Sequence, residues 1–138
     1  MVDSLEEFLN QGLPPETPGK PVPDLVVNRL SHQPYEAFGT KDKVFRLDIR
    51  CPSSDMGHSF PYNYITNITY KLSDYSAVFL TVSGMTVTIT GRTLRPVVEA
   101  LKLHTCEFIQ EYNPHGFIEP NDRSKPFVSN IAVTIIGR

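Results

Sequence analysis

Every other side chain is apolar between Met85 and Thr90, where Met85, Val87 and Ile89 alternate with Thr86, Thr88 and Thr90. A period of two puts the apolar set on one face of a β-strand and the threonines on the other. Residues 77–82 (AVFLTV) supply a second arm, and Ser83-Gly84 between them is the two-residue connection of a tight hairpin. Over residues 43–50 the same alternation sends Phe45, Leu47 and Ile49 inward and Arg46, Asp48 and Arg50 outward. Residues 62–71 place Tyr64, Thr66, Ile68 and Tyr70 on one face, and Ser73-Asp74 predicts a short turn before residue 77. Together these segments predict an antiparallel meander, completed by a strand near 127–136 through Val133 and Ile135.

At Gly91 the strand pattern ends and a helical period begins. Leu94, Val97, Val98, Leu101, Thr105, Phe108, Ile109 and Tyr112 share one helical face, with Glu99, Lys102, Glu107 and Glu111 away from it. The pattern predicts a helix over 94–112 that Thr93 caps, that tolerates Pro96 in its first turn and that Asn113-Pro114 stops. Residues 51–59 (CPSSDMGHS) and 114–126 have turn composition and read as loops.

The N-terminal part differs. Residues 3–10 predict a short helix: Ser4 and Glu7 fit a capping box, Leu5, Phe8 and Leu9 form an apolar stripe, and Gly12 follows as a terminator. So short a helix does not hold in water alone, so its stripe has to dock on its own domain or on a neighbouring copy. Residues 13–23 contain five prolines and read as a stiff, extended arm. Residues 24–30 fit a strand or a short helical turn equally well. The expected organisation is therefore a helix and proline-rich arm over 1–23 and a single α+β domain over 24–138. That domain is expected to be a twisted antiparallel sheet or small open barrel of five or six strands, packed by the long helix.

Composition narrows the function classes. No apolar run approaches the roughly 20 residues of a membrane span, and the acidic start MVDSLEEFLNQG lacks the basic and apolar regions of a signal peptide. A soluble, cytoplasmic protein is expected. A net charge of −2 argues against a generic nucleic-acid binder but allows a local basic patch. Two cysteines, Cys51 and Cys106, exclude a disulfide framework or a four-cysteine zinc site within one chain.

Four places carry candidate chemistry. At the Gly91-Arg92-Thr93 junction, free amides of a helix start beside Arg92 and Arg95 could hold an anion, although Pro96 removes one donor and one glycine is no phosphate loop. The histidines His32, His58, His104 and His115 show no ligand spacing, and His104 and Cys106, two apart on a helix, would diverge, so no metal is expected. Cys51, ahead of Asp55 and His58 in a loop, is the better of two weak nucleophile candidates, because Cys106 falls beside the apolar stripe. The aromatic residues Phe60, Tyr62, Tyr64, Tyr70 and Tyr75 crowd one stretch, and tyrosines on a sheet face can anchor a protein or stack bases.

The sequence thus predicts a non-enzymatic binding or assembly module without a cofactor. Its partner is a protein or a second copy of itself. Its surface would be built from Tyr62, Tyr64, Tyr70, Arg92 and Arg95, and its oligomer contact from Leu5, Phe8 and Leu9. The alternatives are a nucleic-acid or phosphate-ligand binder that uses Arg46, Arg50, Arg92 and Arg95, and a small cysteine-dependent enzyme.

Overall fold

The computed structural model describes residues 33–136, and the architecture below belongs to the compact unit that starts at Pro34. The expected N-terminal helix with Leu5, Phe8 and Leu9, the proline-rich arm and the segment 24–30 lie outside the described residues. Among the described residues the chain order is β1 (Gln33–Pro34), β2 (Phe38–Thr40), β3 (Arg46–Cys51), β4 (Met56–Pro61) and β5 (Ile65–Tyr70). It continues with β6 (Ala77–Val82), β7 (Met85–Arg92), α1 (Arg95–Lys102), β8 (Cys106–Gln110), β9 (Phe117–Ile118) and β10 (Phe127–Ile135).

The described residues are mostly β. One four-stranded sheet has the order β10–β7–β6–β5 and is antiparallel throughout. The other has the order β2–β8–β3–β4 and is mixed, because β3 and β8 run parallel. The short β1 and β9 pair separately. Leu47 and Ile49 from β3, Val78 and Leu80 from β6, and Val87 and Ile89 from β7 are fully buried in one core. Into the same core α1 sends Val97, Val98 and Leu101, and it touches β5 of one sheet and β8 of the other. Such a core is what two sheets with one apolar face each must form to remove those faces from water.

The expected hairpin is present: β6 and β7 pair from Ala77↔Thr90 to Val82↔Met85 around Gly84, whose φ is +85°. Several expectations need correction. In place of one twisted antiparallel sheet or small open barrel of five or six strands, the described residues form two four-stranded sheets and the short β1–β9 pair. The helix expected over 94–112 stops at Lys102, and residues 106–110 form β8, the strand that joins β2 to β3. The cause is a C-cap. His104 takes the left-handed conformation, with φ +60°. Its N–H donates to Leu101 O, and Thr105 N–H donates to Ala100 O. That pair of bonds is a Schellman motif, which normally uses glycine at the left-handed position. Residues 56–59, expected in a loop, belong to the edge strand β4, in which Phe60 is buried.

Gly91 neither ends the strand nor turns the chain. It lies within β7, where β10 passes so close that a Cβ would collide with the Phe127 carbonyl oxygen. The unusual backbone falls on Thr93 instead, with φ +57°. Thr93 does not cap α1. Its hydroxyl donates to Arg123 O, and the N-cap is Leu94, without a side-chain bond.

The chain crosses between the sheets at Glu111, which is 1 % exposed. One carboxyl oxygen accepts the Ser53 N–H at 3.0 Å, in the β3–β4 connection, and the other accepts the Ile131 N–H at 2.7 Å, on β10. A residue expected on the wet side of a helix therefore ties the two sheets together.

Candidate functional site

The sequence placed Phe45 inside. Strand β3, however, begins only at Arg46, and the preceding turn directs Val44 into the core while Phe45 is 75 % exposed. This turn is fixed by Tyr62 N–H donating to Phe45 O at 2.9 Å and Val44 N–H donating to His104 O at 3.1 Å. Phe45 is the ridge between two concave regions, which share Lys43, Val44 and Phe45 in their walls.

On one side is an open cleft of about 560 Å³ between Phe45, Pro61, Asn63 and Leu103. Leu103 is 73 % exposed there. In the same cleft Tyr62 and His104 stack, with ring centroids 4.6 Å apart and planes 25° apart. The Tyr62 hydroxyl donates to Cys106 O at 2.6 Å, and burial holds its pKa well above the usual phenol value, so Tyr62 is a fixed wall. His104 stands at the cleft because the helix cap puts it there.

Beyond Phe45 lies a groove of about 320 Å³ on the outer side of the mixed sheet. Its rim carries four cations, Lys41, Lys43, Arg46 and Arg50, against two carboxyls, Asp48 and Glu107. Lys41 pairs with Glu107 at 3.0 Å, and Arg50 sits 3.8 Å from Asp48 and 4.2 Å above the Phe108 ring. Arg46 donates to the Ser59 hydroxyl and carbonyl at 3.1 and 3.0 Å. Lys43 has no ion pair among the described residues. The strip therefore combines an exposed aromatic ridge, an apolar cleft and a cationic groove.

The surface expected from Tyr62, Tyr64, Tyr70, Arg92 and Arg95 does not form as one patch. Tyr62 is 5 % exposed and belongs to the core. Tyr62–Tyr64 is a 3-10 turn, and β5 starts at Ile65 with a register shift before Asn67, so alternate residues of 62–70 do not share a face. Tyr64 is exposed. Tyr70 and Arg95 do come together through Tyr75. The two tyrosine rings stack at 5.5 Å, Arg95 lies 5.7 Å over Tyr75, and Lys102 donates to the Tyr70 hydroxyl at 2.9 Å. Arg92 is elsewhere, 4.3 Å above the Phe127 ring in a cluster with Tyr35, Tyr112 and Phe117. Of the four arginines considered for phosphate, only Arg46 and Arg50 share a groove.

Cys51 and His58 line one apolar groove without a hydrogen bond between them. Burial, and then Glu111, pushes the Cys51 thiol up, which is the opposite of what a nucleophile needs. Burial pushes Cys106 up to about 12. Among the described residues no group of three or more His, Cys, Asp or Glu side chains could hold a metal ion. None of the described helices is long and apolar enough to cross a membrane.

Exposed Phe45 was missed because it obeys the strand alternation of residues 43–50. The only signal against it was its position between Lys43 and Arg46. Comparison with protein-family models, with curated proteins and with solved structures found no match.

Proposed function

We propose that this chain is a non-enzymatic binding module whose recognition surface is the strip around Phe45. The partner that fits is an acidic protein segment carrying an apolar side chain. The supporting observation is the position of Phe45, 75 % exposed between an apolar cleft and a groove with four cations. A large exposed aromatic beside cations is the residue type that anchors interfaces, while the cationic rim steers an acidic partner. The assembly part of the proposal rests on the sequence. The stripe expected from Leu5, Phe8 and Leu9 is one that a short helix cannot keep in water, and of its two docking places, its own domain or another copy, we propose the second.

Fluorescence anisotropy with a labelled peptide alternating Glu or Asp with Leu or Phe tests the reading. Binding should weaken about tenfold in Phe45→Ala and in Lys43→Glu, which corresponds to ~1.4 kcal/mol. It should also weaken as salt rises. No binding at low salt, or variants that bind as the parent does, would end this reading. Binding of single-stranded oligothymidine in place of the peptide would instead favour the nucleic-acid alternative, built on Arg46 and Arg50.

A further inference from the structure

Strand β10 is the longest among the described residues, at nine, and lies at a sheet edge. A strand edge exposes unpaired N–H and C=O groups, and folds usually cover or blunt it. The first half of β10 is covered. Val128 N–H donates to the Tyr35 hydroxyl at 3.1 Å, Val128 O accepts Tyr112 N–H at 2.8 Å, and Ile131 N–H donates to Glu111 at 2.7 Å.

Among the described residues nothing covers the second half. Because Ile131 gives its N–H to Glu111, its backbone groups point away from β7. In a regular strand those of Val133 and Ile135 point the same way. The register from Asn130 to Ile135 is unbroken, and the Ile136 N–H, of opposite parity, donates to Gly84 O across the hairpin. The N–H and C=O groups of Val133 and Ile135 therefore meet no partner among the described residues. Their side chains line a groove of about 420 Å³ with Met56, His58 and Ile131, and Ile135 is 73 % exposed.

The other edges are protected. β2 has three residues, β4 contains Gly57 and ends at Pro61, and β5 is broken by a register shift and touches α1. Residues 126–136 (PFVSNIAVTII) contain no Asp, Glu, Lys or Arg to repel an identical strand.

We propose that β10 pairs antiparallel with β10 of a second copy about a two-fold axis at Thr134. In that register Val133 faces the partner's Ile135 and Ile135 faces the partner's Val133. All four bare groups on each copy are then bonded, without disturbing Glu111. A two-fold edge needs no other sequence to complement it, which selects a second copy over an unrelated peptide. The two antiparallel sheets join into one of eight strands, and apolar Ile135 is covered. This contact is separate from both the Phe45 strip and the N-terminal stripe.

Amide hydrogen exchange and light scattering over a dilution series test the pairing, on the full chain carrying Leu5→Ser and Phe8→Ser so that the N-terminal stripe cannot join copies. Expected are slow exchange at Val133 and Ile135 and a mass of two copies, with exchange accelerating as dilution halves the mass. Val133→Pro removes an N–H that no described residue accepts, so it should give a monomer whose β6 and β7 amides stay protected. If that variant fails to fold, Ile135→Lys should be monomeric at every concentration. Fast exchange at both amides at every concentration overturns the proposal, as does a dimeric mass in whichever variant folds.

Discussion

His104 holds a backbone conformation that costs a residue with a Cβ ~1–2 kcal/mol, and it does so where a Schellman motif favours glycine. Stacking on Tyr62 helps keep the histidine there. His104→Val should therefore lower stability by ~1–3 kcal/mol, because a β-branched residue is strained in that region and loses the stack. In His104→Gly the relieved backbone offsets the lost stack, and the urea midpoint should stay close to the parent's. Equal losses in both would mean that the ring contact alone matters. The site was legible in part at this scale. Arg46 and Arg50 were expected outward and do line the groove. The histidine cap and exposed Phe45 were hidden, because one imitates a mid-helix residue and the other a core strand residue.

Strand identity was legible wherever one face meets the core and the other meets water. That rule located β3 and β7 to within a few residues, since residues 46–51 and 85–90 alternate strictly; β6 was found from the hairpin turn beside it, and β10 from Val133 and Ile135. It failed for β8, where Phe108 and Ile109 also satisfy a helical stripe and only tertiary pairing with β2 and β3 decides. It failed for β4 because Gly57 and Ser59 resemble a loop. Gly91 shows how an element can depend on a missing atom. Gly91→Ala would push a Cβ into the backbone of β10 near Phe127 and Val128, and overpacking of that kind costs ~1–3 kcal/mol or more. At Gly84 the space is open and only the positive φ opposes a side chain, so Gly84→Ala should cost ~1–2 kcal/mol. Urea unfolding of the two variants should show Gly91→Ala as the more damaging; the reverse order would mean that β10 moves aside freely.

For the whole molecule, alkaline pH is the condition that probes the core. In the unfolded chain the Cys106 thiol ionises near 9.0, and in the fold burial pushes it up to about 12. The folded state thus holds more protons between those values, so stability is insensitive to this thiol below pH 9 and falls from about 9 to about 12. Cys51, also raised by burial, acts in the same direction, as do Tyr35 and Tyr62 above pH 10.0. Unfolding midpoints should drop through this range and drop less in Cys106→Ala; an identical slope in that variant would show that the thiol is not the cause. The two-sheet architecture itself was not legible, because nothing local announces that β8 must return to β3 past β4, β5, β6, β7 and α1. That return has a topological effect. The chain visits the mixed sheet, then the antiparallel one, then the mixed one again at β8, and finally the antiparallel one at β10. The two sheets are threaded through each other in sequence, so any single break in the chain between them leaves at least one sheet divided between the fragments.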